Sequence, residues 1–181
     1  INNRVQLSYV LGSISTLQVQ AKDFFGAEEN AVKGLKIIQN VEETNEILDQ
    51  KWILYNTLGN IASSLNNYDK ALEYHKQALR IARQMAEDFN NELYSLNNMA
   101  NVKRKQTKYA ESKDIFEEII KTERLRDEDP SFYALVSENL AYTRYLSEDY
   151  VTDDIKTLFQ TSYKICDSLE DEYTKAGEAI S

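Results

Sequence analysis

A period of 41 residues constrains this chain more than any single motif. The segments YNTLGNIASSLNNYDKALEYHKQAL (55–79) and LNNMANVKRKQTKYAESKDIFEEII (96–120) align without a gap, and SENLAYTRYLSEDY (137–150) follows in register. A large apolar residue precedes a small one as Leu58-Gly59, Met99-Ala100 and Leu140-Ala141. A tyrosine stands nine residues after each small residue, at Tyr68, Tyr109 and Tyr150. A weaker copy lies upstream, with Ile14-Ser15 as its large–small pair and Phe24 in the tyrosine's place, 44 residues before Tyr68. Self-similarity of this length marks stacked supersecondary units, because one unit alone cannot bury its apolar face.

Each unit reads as a helical hairpin. Tyr55, Leu58, Ala62 and Leu65 recur at three- and four-residue steps, and after Tyr68 the apolar set restarts as Ala71, Leu72, Tyr74, Ala78, Leu79 and Ile81. Between the runs lies SLNNYD, whose Asn and Asp favour turns and caps. Only five glycines and one proline occur, too few for a turn-rich β fold. The periodicity predicts helices over 4–21, 25–47, 50–66, 69–89, 91–107, 109–126, 130–147 and 152–178, with Asp129-Pro130 as a helix start. These group into hairpins of about 4–47, 50–89, 91–126 and 130–178 in a single domain over 1–181, and no stretch reads as a linker.

The segment LGNIASSLNNYDKALEYHKQAL carries a resemblance to the tetratricopeptide repeat family, through Leu58, Gly59, Tyr68, Ala71, Ala78 and Leu79. Ser112 and Ile119 replace the alanines in the third copy. The fourth matches only when its second helix shifts by about two residues, so that Ile155, Phe159 and Ser162 align. The resemblance implies an all-α, right-handed superhelical solenoid of antiparallel helix hairpins, with first helices lining a concave groove. The repeat exceeds the family's usual length of about 34 residues. Its excess is expected in long second helices, which resemble those of bacterial sensor and regulator arrays and of kinesin light chains.

A register of amides marks the first helices. One residue after the small position stand Asn60, Asn101 and Tyr142; two before it stand Thr57, Asn98 and Asn139; three before it stand Asn56, Asn97 and Glu138. Asn56 and Asn60 are four apart, as are Asn97 and Asn101, so each pair is expected on one helix face. Amides offer both donors and acceptors and suit an extended peptide backbone. The resemblance gives that role to the positions of Asn60, Asn98, Asn101 and Asn139. Arg104 and Lys105 are expected to hold an acidic side chain or a C-terminal carboxylate. A chaperone-tail clamp is not expected, since Asn56 and Glu138 stand where it would carry bases. An amide-rich face that is merely solvated is the competing reading.

Other chemistries find little support. One histidine and one cysteine argue against metal sites and nucleophilic triads. His75 is expected to be a packing or surface residue and Cys166 a small core hydrophobe. Acidic runs such as Asp127 to Asp129 and Glu170 to Glu172 read as solvated helix ends. Net charge is −9, with 9 basic against 11 acidic residues in 1–90 and 12 against 19 in 91–181. Such a balance disfavours nucleic acid and anionic membranes. The expected function is therefore a non-catalytic, cofactor-free protein- or peptide-binding module. Its expected setting is the sensor or scaffold segment of a bacterial signalling or regulatory protein. The alternatives are a peptide-pheromone-type cytoplasmic regulator and a self-assembling scaffold, so a homo-oligomer is allowed. The opening INNRV, without Met, suggests a fragment; the sequence does not name the compartment, the alternatives being cytoplasmic, or periplasmic if the chain is the N-terminal sensor of a membrane kinase.

Overall fold

The computed structural model describes residues 2–85, 89–148 and 150–180, with side chains over 3–85, 90–148 and 150–170. The described residues form nine helices and no strand: α1 (Asn2–Gln20), α2 (Phe24–Ile38), α3 (Asn45–Ser64), α4 (Tyr68–Ala82), α5 (Phe89–Lys105), α6 (Tyr109–Ile120), the one-turn α7 (Leu125–Glu128), α8 (Pro130–Glu148) and α9 (Asp153–Ile180). None of them is long and apolar enough to cross a membrane.

The hairpin turns repeat one geometry. Lys22, Asn66 and Thr107 adopt left-handed φ values of 62°, 59° and 61°, each two residues before the aromatic residue that opens the next helix. The N–H groups of Asp23 and Asn67 donate back to the carbonyls of Gln18 and Ala62 at 2.8 Å, and those of Lys22 and Asn66 to Val19 and Ser63. This is the Schellman pattern that satisfies the last carbonyls of a helix. Asp23 and Asn67 then cap α2 and α4 by accepting from the N–H of Gly26 and Lys70.

The second helices of the first three expected hairpins are shorter than the periodicity predicts, whereas α9 runs its expected length. The element expected over 25–47 ends at Ile38, and Thr44 starts a new helix by accepting from the N–H of Ile47 at 3.4 Å. Those expected over 69–89 and 109–126 end at Ala82 and Ile120. Second helices α2, α4 and α6 therefore have 15, 15 and 12 residues, against 19, 20 and 17 in first helices α1, α3 and α5. The excess length lies in the first helices and the connections, because polar turn-formers between hairpins stop the second helices early.

The chain divides into two compact units, Ile1–Gln106 and Thr107–Ser181, with the boundary in the turn of the hairpin expected over 91–126. In the first unit α1 packs on α2, α2 on α3, α3 on α4 and α4 on α5. Its main core gathers Val5, Ala31, Ile38, Ile47, Leu54 and Leu58. The hydroxyls of Ser8 and Ser15 donate to the carbonyls of Gly34 (3.1 Å) and Ala27 (2.8 Å), satisfying small polar groups where α1 and α2 approach closely.

In the second unit α8 packs on both α6 and α9, burying Phe116, Val136, Leu140 and Ile155. Asp129 caps α8 by accepting from the N–H of Phe132 at 2.9 Å, as its pairing with Pro130 predicts. The inward stripe of α9 runs through Ile155, Leu158, Ser162, Ile165 and Leu169. Ile155 and Ser162 are buried as the shifted register requires, whereas Phe159 is exposed. Cys166 is also exposed, which corrects its assignment to the core. One residue past Ile165 turns the side chain about 100° off the buried stripe.

Candidate functional site

The amides of α3 and α5 sort into two groups. Asn56 and Asn97 are buried, so neither shares an open face with its partner four residues on. Both hydrogen-bonding ends of Asn56 are used: Nδ2 donates to the carbonyl of Trp52 at 3.2 Å, and Oδ1 accepts from Asn98 Nδ2 at 3.1 Å. The same oxygen lies 3.1 Å from His75 Nδ1. Since Oδ1 is an acceptor, Nδ1 is the protonated nitrogen of a neutral ring. Burial, and then the charge of Lys105, lower the pKa of His75 to about 4.

Asn60 is exposed and Asn98 and Asn101 are half-buried. Asn98 commits its NH2 to Asn56 and leaves its carbonyl oxygen open. Asn101 accepts from Arg104 Nη2 at 2.7 Å through Oδ1 and leaves its NH2 open. Lys105 Nζ donates to Ser63 Oγ at 2.9 Å, tying the end of α5 to the end of α3. Lys103, Arg104 and Lys105 also occupy the last turn of α5, where positive charge complements the helix dipole. The first unit thus brings Asn98 and Asn56 into contact, sets Arg104 on Asn101, and leaves Asn60 facing solvent. Asn139 and Tyr142 lie on α8 in the second unit, half-buried and exposed respectively.

The periodicity alone does not reveal His75 as the buried partner of Asn56, nor Ser63 as the anchor of Lys105. A faint signal exists: Asn56–Asn98 and Ser63–Lys105 are both 42 apart, one residue beyond the period. Trp52 Nε1 donating to Ser95 Oγ at 2.9 Å is a further bond between successive first helices. Among the described residues, no three His, Cys, Asp or Glu side chains gather to hold a metal ion.

Residues 52–85 match the family model described as "Tetratricopeptide repeat". The crystal structure of the apo form of RapI is similar, with a TM-score of 0.78 and 16% identity over 96% of this chain and 60% of that one. The crystal structure of BtubC (BKLC) from P. vanneervenii is similar too, with a TM-score of 0.72 and 20% identity over 90% of this chain and 63% of that one. The chain therefore spans about 60% of the length of these two structures, and at such identities the likeness is one of fold. No curated protein sequence matches it.

Proposed function

We propose that the tetratricopeptide repeat at residues 52–85, together with α5, forms a non-catalytic binding surface for an extended peptide or protein segment. The observation that carries this reading is the set of open amide groups on α3 and α5: the whole amide of Asn60, the oxygen of Asn98 and the NH2 of Asn101. Their complementary ends are fixed by Asn56 and Arg104, so donor and acceptor directions are set before a ligand arrives, which lowers the ordering cost of binding. Arg104 and Lys105 supply positive charge beside them for an acidic side chain or a terminal carboxylate. In the second unit, taken by itself, Asn139 and Tyr142 of α8 are proposed as peptide contacts.

Only the amide faces of Asn60, Asn98 and Asn101 are offered to the ligand; Asn56 holds Asn98 from beneath, and Asn97 is buried. The setting we propose is the sensor or scaffold segment of a bacterial signalling or regulatory protein, supported by the repeat spacing and the fold likeness. The test is selection of a displayed random-peptide library on the chain, followed by calorimetric titration of the selected peptides. Peptides that bind the wild type and lose affinity to Asn98→Ala/Asn101→Ala support the proposal. A selection that yields only peptides indifferent to that pair rejects it.

A further inference from the structure

In the first unit, the last turns of α2 and α4 flank the first half of α3 around an open cavity of about 490 Å³, the size of a small-molecule site. Its charge runs against that of the chain. Lys36, Lys51 and Arg80 line it with a single acid, Glu43, in a sequence of net charge −9. Glu43 is already engaged: Lys51 Nζ donates to its Oε1 at 2.6 Å, from a lysine side chain only 15% exposed. That bond and the charge of Lys51, with a smaller part from Arg80, hold the Glu43 carboxyl below its ordinary pKa. The Arg80 guanidinium is therefore within electrostatic reach of the pair. Lys36 and Arg80 themselves pair with no acid among the described residues, so two positive charges remain at the cavity.

Lys36 and Arg80 each stand in the last turn of a helix, where a cation meets the negative end of the dipole. That accounts for each alone, but not for their convergence with Lys51 on one cavity. Nor does the repeat require a lysine at position 51. Its counterpart 41 residues on is Glu92, which pairs with Arg83 at 2.8 Å, so the next copy keeps the bridge with reversed polarity. The neutral lining adds a hydroxyl from Tyr55, amides from Gln39 and Gln84, and an apolar wall of Val32, Leu35 and Ile81. The Tyr55 ring leans on Tyr74 of α4, with centroids 6.4 Å apart.

We propose that this cavity binds a phosphate monoester carried on a small apolar body, the phosphate held by Lys36 and Arg80 and the body lying against Val32, Leu35 and Ile81. A phosphate monoester carries a charge of about −1.5 to −2 at neutral pH and three acceptor oxygens. It matches the two remaining cations, whereas a carboxylate would neutralise only one. The planar fork of arginine fits phosphate oxygens two at a time. None of these residues is an amide of the proposed peptide surface, so the two sites can fail separately.

The probe is phenyl phosphate, titrated calorimetrically into the chain at low salt up to millimolar concentration. The wild type should bind one equivalent saturably, with an affinity that falls as salt rises. Lys36→Gln/Arg80→Gln should weaken it about tenfold or more, because the bonds lost are between charged groups. Lys33→Gln/Lys76→Gln removes two exposed lysines outside the cavity and should leave the affinity within about twofold, as should Asn98→Ala/Asn101→Ala. Benzoate and inorganic phosphate, each lacking one half of the guest, should bind several-fold more weakly. Lys36 and Arg80 are exposed, so their double variant should melt like the wild type. If it does not, the side-chain Nε–H signal of wild-type Arg80 decides: it should move with phenyl phosphate and saturate at the calorimetric affinity. A wild type without saturable binding overturns the inference. So does an equal loss in the two lysine-containing double variants, which would be diffuse attraction to basic surface. A loss in the asparagine variant, benzoate or inorganic phosphate bound as tightly as phenyl phosphate, or an Arg80 signal unmoved at saturation overturns it as well.

Discussion

A β-carbon on Gly59 would lie 2.6 Å from both ring nitrogens of His75, so the missing side chain of α3 is the space that the imidazole of α4 fills. The ring is held there by Asn56 Oδ1, 3.1 Å from Nδ1. The equivalent positions of the first copy hold Ser15 and Ala31, both buried, so a slightly larger residue on the first helix goes with a much smaller one on the second.

This relationship predicts a reversal of sign. Gly59→Ala in the wild type should destabilise by about 1–3 kcal/mol through overpacking, and Gly59→Leu by that or more. In a His75→Ala background the collision is gone. The helix propensity of alanine should then make Gly59→Ala neutral or stabilising by up to about 1 kcal/mol. Denaturant titration of the four variants reads the coupling. Equal costs in both backgrounds would show that the ring does not occupy the space over Gly59.

His75 also predicts a pH dependence. Its folded-state pKa of about 4 lies below the ordinary 6.5 because burial disfavours the charged ring. The unfolded chain therefore binds the proton more readily. Stability from this group is full above pH 6.5 and falls as pH drops toward 4, by about 1.4 kcal/mol per pH unit and about 3 kcal/mol in all. His75→Ala should be less stable at neutral pH yet flatter between pH 6.5 and 4.5. Parallel wild-type and variant profiles in that window would contradict a buried, neutral imidazole.

The turns before Tyr68 and Tyr109, and the helices that open at these residues, were legible because the tyrosines and the small residues before them repeat at fixed spacing. The ends of the second helices were not. Apolar residues such as Ile47 continue a helical period past the true stop, and only the cap at Thr44 reveals the new start. Asn56 shows the limit for the site: sequence places it four residues from Asn60, but whether an amide faces solvent or a buried histidine depends on a helix 19 residues away. Cys166 fails for a related reason, since a neighbour in the sequence of α9 is not a neighbour on its buried face.

Cys166 now carries the opposite chemical expectation. As an exposed thiol in dilute solution, it should react with a disulfide reagent at nearly the same rate in the native and denatured chain. A native rate slower by orders of magnitude at micromolar concentration would return it to the core.

Lys22 is exposed and holds a left-handed φ of 62°, a conformation that costs an L-residue roughly 1–2 kcal/mol. Lys22→Gly should raise stability by about 1 kcal/mol, because glycine tolerates that turn. An unchanged or lower melting temperature would mean the turn is not left-handed in solution.

For binding, each hydrogen bond lost from Asn98 and Asn101 should cost a selected peptide about 0.5–1.5 kcal/mol, so Asn98→Ala/Asn101→Ala should weaken it by roughly one to two powers of ten. Stability should fall only modestly, since Asn56 keeps its contacts with His75 and Trp52. Arg104→Glu should weaken an acidic peptide further, and that loss should shrink with added salt as the charges are screened.

The most direct test of the binding surface is titration of the selected peptide into the labelled chain while the side-chain amide NMR signals of its asparagines are followed. The account predicts that the signals of Asn60, Asn98 and Asn101 move together and saturate with the calorimetric affinity, while those of the exposed Asn3 and Asn40 stay still. Saturation of binding with Asn60, Asn98 and Asn101 unmoved would place the ligand elsewhere and contradict the account.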